Sequence, residues 1–168
     1  SKDLKALRAQ GQELDLNMRM INAVLETNDA QPHQVINILK DEIGNLKGKH
    51  ILLLGLAFKP GTDDVRESPA LKIAMDVINS EALLYAHDPV AIKNFKKALK
   101  DKSDKIKFVE NWVSTLDLVE IVIIVSPWDE YLKLINIDIR DKIIFDTRGS
   151  FEPSNLNASC YLSIGRRV

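Results

Sequence analysis

Between an apolar run and an amphipathic one lies GLAFKPGTDDVRESPA, Gly55 to Ala70, which holds two glycines, a lysine, an arginine and three acids. A loop in that position, leaving a strand and entering a helix, is where phosphate-binding chemistry belongs. A dinucleotide fingerprint would bring a second and a third glycine within five residues of the first, so that pyrophosphate could touch backbone amides. Here Gly55 is followed by Leu56, Ala57, Phe58, Lys59 and Pro60, which blocks that approach. A longer loop with side-chain cations suits a diphosphate held by a lysine and by the fork of an arginine. Phe58 offers an aromatic face to a base. The competing reading is that Lys59 and Arg66 only pair with Asp63, Asp64 or Glu67 on a solvated loop, where such pairs contribute little.

Other residues invite chemistry less strongly. Asp88 ends a second apolar run, where nucleotide folds put an acid against a ribose, although the Asp88-Pro89 turn explains it more simply. Trp128 reads as core before ligand platform. Cys160 lies in an apolar patch with no histidine nearby, the setting of a buried structural thiol and not of a nucleophile. His33, His50 and His87 are scattered without metal-ligand spacing. Lys93, Lys96, Lys97 and Lys100 read as a solvated helix face.

These residues need elements to hold them. From Lys2 to about Leu46, apolar residues recur at three- and four-residue steps, a helical pattern that Gly11 is expected to break and Pro32 to start or kink. With no sheet beneath it, this segment (1–47) is expected to be a connector or dimerisation arm. From His50 the pattern alternates. The run 51–58 reads as a parallel strand covered on both faces, and Ser68-Pro69 as the N-cap and first turn of a helix. Further strands are predicted at 83–86, 106–109, 121–125, 143–145 and 161–164, with helices near 91–100 and 128–134. The expected fold for 48–168 is α/β, a Rossmann-like doubly wound parallel sheet of order 3-2-1-4-5. In that order the loops after the first, fourth and fifth strands border one crevice, which gathers Lys59, Arg66, Asp146 and Arg148.

Composition bounds the partners. With 168 residues, 45% hydrophobic and 28% charged, the chain can bury one good core. A formal net charge of −1 predicts no general attraction to nucleic acid or anionic lipid. One cysteine permits no internal disulfide. The chain shows neither an apolar run of the roughly 20 residues that span a bilayer nor a signal-peptide core, so the expected location is the cytoplasm.

The loop also resembles a known signature. Gly55 to Ala70 is similar to the opening of the UDP-binding domain of the UDP-glucose/GDP-mannose dehydrogenase family. The similarity extends through Tyr85-Ala-His-Asp-Pro89, Ser126-Pro-Trp-Asp-Glu-Tyr131 and Phe145-Asp-Thr-Arg148. Lys2 to Leu7 resembles the residues just after the catalytic cysteine in the family's Cys-x-Pro-Lys-Asp motif, and Asn28-Asp29 falls in its long central helix. The resemblance implies a C-terminal portion of an NAD-dependent enzyme that oxidises the C6 alcohol of a nucleotide sugar to a carboxylate. It puts the cysteine two positions ahead of Ser1, so this chain alone is expected to be inactive, with NAD bound mainly elsewhere.

Carried over by position, the resemblance makes Asp3 the acid that positions or activates water. It makes Phe58, Lys59 and Arg148 the contacts to a UDP-sugar, and Arg66 the arginine that reaches NAD. It implies a homodimer through the N-terminal helices. The wording from Phe58 to Thr62 leans toward UDP-glucose, with UDP-N-acetylmannosamine or GDP-mannose as alternatives. A noncatalytic nucleotide-binding or dimerisation module is the rival from another class.

Overall fold

The apolar runs form one sheet. The computed structural model of the protein describes residues 2–167, with side chains from 3 to 165. Two helices come first, α1 (Lys2–Glu13) and α2 (Arg19–Ile43). They are followed by β1 (His50–Leu54), α3 (Pro69–Asn79), β2 (Leu83–His87), α4 (Ile92–Leu99) and β3 (Ile106–Phe108). The chain continues through α5 (Trp112–Thr115), β4 (Ile121–Ile124), β5 (Ile139–Asp146), β6 (Ala158–Ser163) and β7 (Arg166–Arg167). A 3-10 turn over Asp129–Asn136 stands where a short helix is expected near 128–134.

The sheet order is β3-β2-β1-β4-β5-β6-β7, and every neighbouring pair is parallel except the last, in which β7 returns antiparallel along β6. The expected doubly wound α/β sheet is therefore present, extended at one edge by a hairpin. Alternate residues of each strand face opposite layers. Ile51, Leu53, Ile121 and Ile123 pack under α2, α3 and α4 with Val35, Leu39, Ile73 and Phe95. Leu52, Leu54, Val122 and Ile124 pack on the other face with Trp112, Leu116, Tyr131 and Tyr161. Leucine and isoleucine side chains fully removed from water in this way contribute about 1.5–3 kcal/mol each, which is why the central strands carry almost no polar residue.

Several expectations change in detail. The first strand stops at Leu54, not Phe58; Leu56 and Ala57 are apolar because they are buried in a loop. The fifth strand begins at Ile139, with a register shift between Ile139 and Ile143 that hides it from a period-two pattern. Gly11 does not break α1. A Cβ there would lie 2.4 Å from the Met18 side chain, so the glycine admits Met18 against the helix. Pro32 lies inside α2 and is buried, removing one backbone donor without ending the helix.

The N-terminal segment finds part of its surface within the chain. Val35, Ile36 and Leu39 of α2 belong to the same core as β1 and α3. A ladder of ion pairs runs beside them, Asp29 with Lys72 and His33 with Asp76, each one helical turn apart on its own helix. The preceding stretch is bare: Leu7, Leu14, Leu16, Met20 and Val24 are exposed, Met20 by 80%. Cys160 is half-buried on β6 against the core. Among the described residues no helix is long and apolar enough to cross a membrane.

Candidate functional site

The chain leaves β1 through a tightly fixed turn. Gly55 has φ +86°, and a Cβ on it would lie 2.3 Å from the Ser126 carbonyl oxygen. Only glycine lets the loops after β1 and β4 touch this closely. Its amide extends the β1–β2 ladder to the His87 carbonyl at 2.9 Å. The next two amides, of Leu56 and Ala57, donate to Asp88 Oδ2 at 2.8 and 3.3 Å. The Ser126 hydroxyl donates to the Ala57 carbonyl at 2.8 Å, and the Phe58 amide donates to the Asp64 carbonyl at 3.1 Å, closing the loop. Phe58 and Lys59 emerge from this clamp exposed, with Lys59 Nζ 5.2 Å from the Phe58 ring centroid.

Asp88 is the centre of that clamp and not a free ribose acid. It is 2% exposed, and Oδ1 accepts the amides of Val90 and Ala91 at 3.0 and 2.8 Å, making the turn that enters α4. The half-buried Trp128 donates its indole N–H to Oδ2 at 3.3 Å, so the loop after β4 is tied to the same carboxylate. Behind it, the Tyr131 hydroxyl donates to the His87 carbonyl at 3.2 Å and lies 3.0 Å from His87 Nδ1. Burial pushes the Tyr131 hydroxyl far up from its ordinary range, helped by the Asp88 and Glu130 carboxylates. Burial lowers the His87 ring, against the same two acids.

A second buried aspartate organises the loop after β5. Asp146, fully buried at the end of β5, accepts from the amides of Arg148 at 2.9 Å, Ser150 at 2.6 Å and Phe151 at 3.0 Å. The Tyr161 hydroxyl donates to it at 3.0 Å. Arg148 leaves this turn exposed, just past the strand next to β4. Sequence reasoning names both aspartates, Asp88 as the acid of an Asp-Pro turn and Asp146 as part of the crevice, but misses their role as buried acceptors that hold the loops. Their signal is an acid placed immediately after a buried apolar run, in Leu84-Tyr-Ala-His-Asp88 and Ile143-Ile-Phe-Asp146.

The loop's own charges sort themselves. Asp63 accepts from the Asn94 side chain at 2.9 Å, and Glu67 pairs with Lys5 of α1. Asp64 takes Arg66 in a two-point fork, at 3.0 Å from Nε and 2.7 Å from the terminal nitrogen. The Arg66 hydrogen bond holds the Asp64 carboxyl down to about 2. The solvated-pair reading thus describes Arg66, whose side chain is 87% exposed. It does not describe Lys59. Among the described residues neither Lys59 nor Arg148 has an ion-pair partner.

Asp3 is exposed in the first turn of α1, two residues before Lys5. The Lys5–Glu67 pair therefore brings that turn to the end of the loop that carries Arg66. Positions two apart on a helix point to different faces, so Asp3 is not part of the pair. The groove between α2 and α3, lined by His33, Asn37, Lys40 and Asp76, lies toward the opposite end of α3 and shares none of these residues. Among the described residues no group of three or more His, Cys, Asp or Glu is placed to hold a metal.

Comparison with known proteins concentrates on the same segment. Residues 52–153 match the model for the UDP binding domain of the UDP-glucose/GDP-mannose dehydrogenase family. A UDP-glucose 6-dehydrogenase of Rickettsia conorii is 30% identical over 99% of this chain and 40% of its own length. One from Haloferax volcanii is 33% identical over 86% of the chain and 32% of its own. A UDP-glucose dehydrogenase structure from Pyrobaculum islandicum superposes with a TM-score of 0.82 at 36% identity, over 96% of this chain and 35% of that one. A GDP-mannose dehydrogenase from Pseudomonas aeruginosa shares the fold, with a TM-score of 0.76 at 20% identity over 98% of this chain and 38% of that one. The chain thus spans two fifths or less of the length of these relatives.

Proposed function

From the premise that this chain belongs to the UDP-glucose/GDP-mannose dehydrogenase family, we propose that it is the nucleotide-sugar-binding portion of an NAD-dependent UDP-glucose 6-dehydrogenase. The observation that carries the proposal is the pair of cations without ion-pair partners among the described residues, Lys59 and Arg148, delivered with Phe58 on clamped loops past the carboxyl ends of β1 and β5. Two positive charges held on rigid turns suit the diphosphate of a nucleotide sugar, and the exposed Phe58 ring suits its base. UDP-glucose is favoured over UDP-N-acetylmannosamine and GDP-mannose by the relatives of 30% identity or more, which carry that name.

The reaction is the conversion of UDP-glucose to UDP-glucuronate. NAD supplies the hydride-accepting chemistry, twice for each sugar. The sheet itself does not fit the dinucleotide, because the amides just past β1 are taken by Asp88. What this chain offers the cofactor is Arg66, aimed outward and preset by Asp64. Asp3, next to the Lys5–Glu67 contact, is assigned to holding and polarising water for the hydrolytic step. Alone, the chain binds without turning over. The bare apolar stripe from Leu7 to Val24 supports a homodimer through the N-terminal helices, and we divide the chain at 47/48 accordingly. A single half-buried cysteine fits the reducing cytoplasm.

An NMR titration with UDP, GDP and NADH tests this. Shifts with UDP alone, centred on Phe58 to Thr62 and Arg148, are expected. A preference for GDP moves the protein to the mannose branch, and a preference for NADH overturns the assignment.

A further inference from the structure

In dinucleotide folds the chain leaving the first strand turns its amides to a pyrophosphate, and an acid ending the second strand takes the ribose. Here the acid stands at that place, but both of its oxygens turn inward. We propose that Asp88 is a specificity-determining residue, an internal anion that fills the dinucleotide seat of this sheet and leaves the ligand's charge to Lys59 and Arg148. The exclusion stands on the geometry alone; the second clause rests on the nucleotide-sugar assignment above.

The arithmetic of the carboxylate carries the argument. It has about four lone-pair positions, and five N–H donors already converge on them, from Leu56, Ala57, Trp128, Val90 and Ala91. No acceptor is left for a ribose hydroxyl. Leu56 and Ala57 are completely buried, so no outside phosphate reaches their amides while Asp88 is in place. Displacing Asp88 would strand a buried charge without partners, which is far costlier than leaving a ligand unbound. The Phe58 amide is given to the Asp64 carbonyl, so the first side-chain donor that a ligand phosphate meets past β1 is two residues beyond Ala57, at the exposed Lys59. Binding there goes through a flexible point charge and not through a fixed backbone nest.

The experiment has two arms. In the first, the wild-type chain is titrated with ADP-ribose and, separately, with UDP, following the Leu56 and Ala57 amides by NMR. ADP-ribose is expected to leave both amides unmoved, and a saturable shift centred on them overturns the proposal. UDP acts as the independent check, since its failure to shift Phe58 to Thr62 counts against the nucleotide-sugar assignment and leaves the ADP-ribose result standing. In the second arm, Asp88→Ala removes one carboxyl group and leaves a void of the size of formate. Sodium formate is expected to raise the melting temperature of this variant by at least about 3 °C over equimolar chloride, and that of the wild type not at all. Equal responses of the two proteins overturn the proposal. If the variant is recovered only unfolded, its refolding yield in formate against chloride is the same test.

Discussion

The loops past the carboxyl ends of the strands and the helical arm solve opposite problems. In those loops, buried polar groups are satisfied within the chain: Asp88 and Asp146 gather the amides of both ligand-facing loops, the start of α4 and two aromatic side chains. Along the arm, five large apolar side chains stand exposed among the polar ones, Leu7, Leu14, Leu16, Met20 and Val24, and the ion pairs that dock it lie on the surface. A region finished by buried hydrogen bonds is prebuilt for a small ligand. A region that leaves large apolar side chains in water is built for another protein surface. Stability and ligand affinity should therefore depend on different residues.

The largest effect is expected at the supports of these loops. Asp146→Ala leaves three amides without their buried acceptor and the Tyr161 hydroxyl with the Phe151 carbonyl in its place, and should lower the unfolding free energy by about 3 kcal/mol in urea titrations. A loss below about 1 kcal/mol would mean that water replaces the clamp and the loop is not prebuilt. Lys59→Ala should weaken UDP binding by about 2 kcal/mol by calorimetry while leaving unfolding unchanged. Unaltered affinity would remove Lys59 from the site.

A pH prediction sharpens the comparison further. Burial favours the neutral His87 ring in the folded chain, so its contribution is fully present above the unfolded value of 6.5 and is lost as pH falls below it. Thermal melts between about pH 7 and pH 5 should show that decline, and His87→Gln should flatten it. An unchanged slope would put the titration elsewhere. The smallest effect on stability belongs to the arm. Leu16→Ser with Met20→Ser should change monomer unfolding by less than about 0.5 kcal/mol, yet weaken self-association in sedimentation experiments. A monomeric wild type would end the dimer proposal.

Much of this architecture is legible from apolar runs, because a parallel sheet covered on both faces writes its strands as continuous hydrophobic stretches. The sheet order and the helix opening at Ser68-Pro69 come from that pattern. The parts that stay hidden depend on contacts distant in sequence. Burial looks the same whether it comes from a strand or from a loop pinned beneath a carboxylate, so the run to Phe58 overstates β1 by four residues beyond Leu54. Lys142 hides β5 in another way: its ammonium is buried and donates to the Val119 carbonyl at 3.1 Å, which puts a charge inside a strand. At the site, the cations are legible as types, but which of them is already taken is not. Arg66 and Lys59 sit in the same acidic loop, and only the folded geometry gives Asp64 to Arg66 and leaves Lys59 without an acid among the described residues.

Asp88 also joins the site to the history of the chain. Its partners at Ala57, Leu56 and Trp128 are 31, 32 and 40 positions away. None of these bonds closes until β1, β2 and β4 are in register, so the ligand-facing turn is completed late in folding and cannot form as a local hairpin would. The same dependence works in reverse. The Leu56 and Ala57 amide protons should exchange with solvent only when the central sheet opens, at the protection of the core strands and not of a surface loop.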